Sequence, residues 1–190
     1  MSDLLHSDEI KQLVRDAYRA IDTGSGEVAR CLYSPDELAD VPRSATDRAL
    51  GVANHLRHAH FRPGDVVLDV GCGAGIDSIL ASRRVGPTGR VWALDFLPEM
   101  LERTAAAATE AGLDNVEPLE GEMESIPLPD HCVDVVVSNG VLNLSPRKAR
   151  ALAECARVLH PGGRFCVSDL TVDQDDLPPE VMTHPAAWAG

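Results

Sequence analysis

The chain has 190 residues, with seventeen basic and thirty acidic side chains, a net charge of −13 and a pI near 4.8. That length suits a single domain with a real core, and the acidic balance argues against nucleic acid and anionic membrane surfaces as partners. No apolar run is long enough to span a bilayer, and the polar start "MSDLLHSDEIKQ" has no signal-peptide core, so a cytoplasmic location is expected.

The first third reads as helical. Ile10, Val14, Ala17, Tyr18 and Ile21 follow helical spacing behind Ser7, an N-cap followed by Asp8 and Glu9 in the first turn. "GSG" at residues 24–26 breaks that helix. "SPDELADV" opens another, with Ser34 as N-cap, Pro35 at the first position and Glu37 closing a capping box. A third helix is expected through "ATDRALGVANHLRHAH", weakened by Gly51.

From Arg62 the texture changes to alternating strands and helices. "VVLDV" is a near-continuous apolar run, suited to a parallel strand buried on both faces. A glycine loop follows, then the helix "IDSILASRR", the turn "GPTG" and a second strand, "RVWALD". The alanine-rich helix "PEMLERTAAAATEAG" stops at Gly112. "NVEPLEG" and "CVDVVVSN" are the third and fourth strands. "SPRKARALAECARVLH" is a helix capped by Ser145, with Pro146 at its first position and an apolar set of Ala149, Leu152, Ala153 and Ala156. "PGG" ends it, and "RFCVSDL" is a fifth strand. The alternation implies right-handed crossovers and an α/β fold with a doubly wound parallel sheet. Residues 1–61 then form an N-terminal helical cap, 62–171 the core and 172–190 a tail, all in one domain.

In such sheets ligands sit beyond the carboxyl ends of the strands. The loop there reads "LDVGCGAGID", Leu68 to Asp77. Its glycines are Gly71, Gly73 and Gly75, and Ile76 stands where the dinucleotide fingerprint G-x-G-x-x-G needs its third glycine. The P-loop pattern is absent as well. Asp95 ends the second strand, 24 residues after Gly71. A carboxylate there accepts from both ribose hydroxyls and repels phosphate, so the expected ligand is a nucleoside with free 2′ and 3′ hydroxyls.

The five cysteines, Cys31, Cys72, Cys132, Cys155 and Cys166, are odd in number and widely spaced, with no C-x-x-C. Free, packed thiols are expected rather than disulfides or a zinc site. "HLRHAH" brings His55, His58 and His60 close in sequence. No cysteine or carboxylate completes a metal site there, so a polar cap near a substrate entrance is expected.

"VLDVGCGAG", "WALD", "GEMESIPLPDHCVDVVVSN" and "ARVLHPGGRFCVSDL" together resemble class I S-adenosylmethionine-dependent methyltransferases with a Rossmann-like sheet. "CLYSPDEL", "RRVGPTGRVWALDFLPEMLERT" and "SNGVLNLSPRKARALAECARVLHPGGR" are similar to the arsenite methyltransferases of the ubiquinone/arsenite branch. The resemblance implies S-adenosyl-L-methionine as cofactor and methyl transfer to arsenite, a metalloid–thiol or a small molecule. It implies that Asp69, Gly71, Cys72, Gly73 and Gly75 surround the methionine moiety and ribose. Asp95 would bind the ribose hydroxyls, Phe96 pack on the adenine, Glu122 bond the adenine amino group and Met123 lie beside the ring. Asn139 would line the methionine part and the reacting centre.

The chain departs from that family pattern in three places. Val52 and Gly140 stand at positions where arsenite methyltransferases carry cysteines, and the chain ends at Ala189–Gly190, where another is expected. Cys31 matches an N-terminal family cysteine, and the remaining thiols read as packing. Five strands are readable where the class usually has seven, the last two antiparallel. Either the chain is a fragment or an engineered truncation, or the fifth strand's open edge is covered by a partner, as in a homodimer, or by the N-terminal helices. The alternative to an active enzyme is a catalytically incomplete cofactor-binding protein with a regulatory or assembly role.

Overall fold

The computed structural model describes Gln12, residues 14–16 and residues 24–171. Gln12 and residues 14–16 are helical; the rest of the expected first helix, its Ser7 cap and the tail from Val172 lie outside the described residues. Three short helices follow: α1 (Glu27–Leu32), α2 (Pro35–Leu38) and α3 (Arg43–Thr46). The capping box of α2 is present as expected. The Ser34 side chain accepts from the Glu37 N–H, and the Glu37 carboxylate accepts from the Ser34 N–H at 2.9 Å.

The third expected helix does not run through. It stops at Thr46, and only a 3-10 turn, His55–His58, appears before the first strand. Between them, the Val52 and Ala53 N–H groups donate to the side chain of Asn139 on a distant strand, a contact that local periodicity cannot announce.

Among the described residues the core is one parallel sheet of five strands: β1 (Val66–Val70), β2 (Arg90–Asp95), β3 (Val116–Glu120), β4 (Val133–Asn139) and β5 (Leu159–Ser168). Their order is β3-β2-β1-β4-β5, with every neighbouring pair parallel. This is the expected doubly wound sheet, and the order reverses between β1 and β4. The continuous valine runs account for it. Val67, Leu68, Val70, Val91, Val133, Val135, Val136 and Val137 are all buried, which a strand covered on both faces requires. Burying each such side chain stabilises the fold by about 1.5–3 kcal/mol.

Three longer helices cross over the sheet: α4 (Ile76–Val85), α5 (Pro98–Glu110) and α6 (Lys148–Val158). Helix α6 corrects the sequence in two respects. It begins at Lys148 rather than Pro146, and the Ser145 hydroxyl instead accepts from the Arg147 N–H. Its buried face is Ala151, Cys155 and Val158, while Ala149, Leu152, Ala153 and Ala156 are exposed. Alanines on every face left the apolar stripe ambiguous, and the sheet takes the i, i+4, i+7 set.

Candidate functional site

The glycine loop leaves β1 at the reversal of strand order. The N–H groups of Gly71 and Cys72 both donate to the Leu94 carbonyl, at 2.8 and 2.9 Å, which pins the loop to the end of β2. Gly71 has φ 74, and a Cβ there would lie 2.6 Å from a methyl carbon of Val141. Only glycine meets both demands. Gly73, at φ 53, is different: among the described residues, an added Cβ would meet nothing within 4 Å. Behind it, fully buried Thr104 of α5 donates its hydroxyl to the Gly73 carbonyl at 2.9 Å. Gly75 lets α4 approach α5, since a Cβ there would sit 2.9 Å from the Thr104 side chain.

Two cavities flank Gly71 and Gly73. The larger encloses about 700 Å³, open mouth included, and is lined by Asp95, Phe96, Glu122 and Met123 together with the two glycines. Asp95 is buried at its back wall. One carboxylate oxygen accepts from the Gly73 N–H and the other from the Leu97 N–H, each at 3.0 Å. Burial raises the pKa of this acid, and the backbone N–H groups oppose that shift. Each oxygen keeps lone-pair capacity for one further donor. Two donors side by side, such as vicinal hydroxyls, match it. Val14 also lines this cavity, and the Arg15 guanidinium lies 5.4 Å from the centre of the Phe96 ring. Buried Glu124 completes the wall and accepts from the Ser145 hydroxyl at 2.5 Å.

The smaller cavity, about 670 Å³ with its mouth, lies on the other side of the loop. Asp69, Cys72, Asp77 and Asn139 line it, with Ala49 and Leu50 from the segment after α3. Asp69 is 2% exposed and accepts from the Ser78 hydroxyl at 2.6 Å. Burial, then the charge of nearby Asp77, pushes its carboxyl up to about 8. A cationic ligand group beside it favours the ionised form. Cys72 is buried, with its sulfur 3.6 Å from the Thr104 hydroxyl. Burial and the charges of Asp95 and Asp69 drive its pKa well upward, so it stays a neutral thiol. Tyr33 donates to Asp77 at 2.6 Å, and burial with that negative neighbour keeps its phenol protonated. Asn139 ends β4 at the floor of this cavity. Its amide bonds to the Val52–Ala53 backbone, Tyr33, Asp77 and Ser168.

The structure thus gathers nine of the ten residues singled out from the sequence. Gly71, Gly73, Asp95, Phe96, Glu122 and Met123 line the larger cavity, and Asp69, Cys72 and Asn139 join the two glycines at the smaller. Gly75 lines neither and acts in helix packing. Sequence reasoning missed Val14, Thr104, Glu124 and Ser145. A serine or threonine facing a glycine loop is a usable signal only once the pairing of α5 with that loop is known. The histidines behave differently from the expected polar cap. His55 is 3% exposed, and burial lowers its pKa against the opposing pull of Asp77 and the Ala53 backbone. His58 and His60 are exposed.

Comparison with known proteins agrees with this geometry. A family model described as a methyltransferase domain matches residues 61–190. An arsenite methyltransferase of Halobacterium salinarum is 40% identical over 158 residues, covering 83% of this chain and 40% of that protein. A demethylmenaquinone methyltransferase of Listeria monocytogenes is 38% identical over 65% of this chain and 51% of its own length. Among solved structures, an arsenic(III) S-adenosylmethionine methyltransferase from Chlamydomonas reinhardtii superposes with a TM-score of 0.71 at 38% identity. That match covers 80% of this chain and 53% of the other. The chain therefore spans about half the length of these relatives. With its sheet order, its glycine loop and the acid at the end of β2, the chain belongs to the class I S-adenosylmethionine-dependent methyltransferases.

Proposed function

We propose that this chain binds S-adenosylmethionine across the Gly71–Gly73 loop and transfers its methyl group to arsenite, a thiol-bound metalloid or a small organic acceptor. One observation carries the reading: two cavities meet at the Gly71–Gly73 loop, with Asp95 on one side and Asp69 on the other. Asp95 has capacity left for two hydroxyl donors, as a ribose offers. Phe96 and Met123 supply apolar surface beside it for a purine, and Glu122 an acceptor at its edge. Asp69 offers a buried carboxyl that a neighbouring ammonium group would hold in its ionised form. A phosphate fits neither acid.

S-adenosylmethionine bound there supplies an electrophilic methyl on a sulfonium. The chain contributes alignment and exclusion of water. Thr104 and Leu94 fix the loop, and Val141 closes against Gly71 between the two cavities. A soft nucleophile such as arsenic(III) or sulfur needs no strong base, which suits a small cavity with a neutral, buried thiol and an apolar wall of Ala49 and Leu50. We place the protein in the cytoplasm, with no nucleic acid or membrane as partner, and a second copy of the chain as one cover for the β5 edge of the sheet. Among the described residues, no helix is long and apolar enough to cross a membrane.

A methyl-transfer screen tests the reading. Arsenite with glutathione is offered beside phenols, amines and quinols, with labelled S-adenosylmethionine. Label moving to the arsenite mixture supports a metalloid acceptor, and label moving only to an organic acceptor assigns the small-molecule class. Cofactor binding with no transfer to any of them contradicts the proposed activity.

A further inference from the structure

We propose that Asn139 is a positioning residue rather than a ligand for cofactor or acceptor: its side-chain amide clasps the Val52–Ala53 segment and so builds the acceptor-side wall of the smaller cavity. This rests on the reading of that cavity as the place of methyl transfer.

The hydrogen-bond capacity of the amide decides the point. An asparagine side chain offers two N–H donors and two lone pairs on oxygen. Here the oxygen accepts from the Val52 N–H at 2.9 Å, the Ser168 hydroxyl at 2.8 Å and, more weakly, the Ala53 N–H at 3.3 Å. The nitrogen donates to the Ala53 carbonyl and to Asp77, each at 2.9 Å, with the Tyr33 oxygen at 3.3 Å. Every donor and acceptor is spent on protein. A bound molecule gains a bond from Asn139 only by breaking one of these.

Val52 and Ala53 lie outside helix and strand, and among the described residues the Val52 N–H and the Ala53 N–H and carbonyl bond to Asn139. The side chain replaces the backbone ladder that a strand would have supplied. Neighbouring residues make room for the clasp. A Cβ on Gly51 would lie 2.4 Å from the Asn139 nitrogen, so a side chain there displaces the amide. Gly140, at φ 73, leaves Val52 its place, because a Cβ there would stand 3.2 Å from a Val52 methyl. One amide thereby joins the end of β4 to β5 through Ser168, to α4 through Asp77 and to the N-terminal helices through Tyr33. Leu50 and Gly51, on the cavity wall, are the residues leading into the held pair.

The test uses the full chain and the variants Asn139→Ala and Ser168→Ala. Hydrogen exchange at the Val52 and Ala53 amides reads the clasp directly. Asn139→Ala is expected to speed that exchange about tenfold or more, and Ser168→Ala, which removes one bond to the amide oxygen, about threefold. In parallel, the dissociation constant for S-adenosylhomocysteine moves less than about threefold in Ser168→Ala. With arsenite and glutathione as probe acceptor, KM rises while kcat is nearly kept. Unchanged exchange in both variants overturns the clasp. A tenfold loss of S-adenosylhomocysteine affinity with unchanged exchange overturns it too, and makes Asn139 a cofactor ligand. Should Asn139→Ala not fold, Ser168→Ala still reads the exchange. Failure of the parent protein to bind S-adenosylhomocysteine refutes the cofactor reading and leaves the exchange comparison intact.

Discussion

Asp95→Asn perturbs the larger cavity with little change of shape. In the parent each carboxylate oxygen accepts one backbone N–H and keeps capacity for one ligand hydroxyl. Asparagine retains a single acceptor oxygen and turns the other position into a donor that faces a backbone N–H. One charge-assisted bond to a hydroxyl is lost outright and the other is weakened. Hydrogen bonds to charged groups contribute about 1.5–3 kcal/mol each, so a net loss of about 2–3 kcal/mol is expected. That weakens S-adenosylhomocysteine binding roughly thirtyfold to a hundred-and-fiftyfold. Calorimetric titration measures it. Adenosine and 2′,3′-dideoxyadenosine as competitors separate hydroxyl recognition from loop collapse. The parent should prefer adenosine strongly, and Asp95→Asn should barely distinguish the two. A dissociation constant within about threefold of the parent, or an undiminished preference for adenosine, refutes the assignment of Asp95.

Three further outcomes are expected. Thr104→Val keeps the volume of the side chain but removes its bond to the Gly73 carbonyl, so S-adenosylhomocysteine should bind about threefold to tenfold more weakly; equal affinity in a titration would remove Thr104 from the loop's support. Asp69 is raised from 3.8 to about 8, so the folded chain keeps a proton that the unfolded chain has released. Stability from this group is therefore present at low pH and lost as pH rises toward 8, and thermal melts from pH 5 to 8 should fall more steeply for the parent than for Asp69→Asn. Glu37 behaves in the opposite sense. Burial works against its charge, but bonds from the Ser34 N–H, Arg57 and Asn54 hold it at about 2. It stabilises the fold above its unfolded value of 4.5 and loses that effect as pH falls toward 2. Glu37→Gln should cost about 1–3 kcal/mol in neutral denaturant titrations and flatten the acid limb; an unchanged acid limb would contradict this.

The sheet and the loop were legible because their signals are local. Valine runs mark strands buried on both faces, and Asp95 follows directly from the end of β2. The capping box at Ser34 and Glu37 is likewise written within four residues. What stayed hidden depends on contacts far apart in sequence. The segment after α3 is non-helical because Asn139, 87 residues beyond Val52, takes its backbone. Glu124 meets Ser145, and Arg15 meets Phe96, through packing that no spacing rule reports. The buried face of α6 was misread because alanine marks neither inside nor outside. Cys72 could be placed on the loop by sequence, but only its burial and its acidic neighbours show that its thiol stays neutral.

Equilibrium dialysis of the full chain against labelled S-adenosylmethionine tests the central claim most directly. One saturable equivalent should bind, displaced by S-adenosylhomocysteine but not by NAD or ATP, whose phosphates meet Asp95 and Asp69. No saturable binding, or displacement by either phosphate-bearing nucleotide, would contradict the seat assigned to Gly71, Gly73 and Asp95.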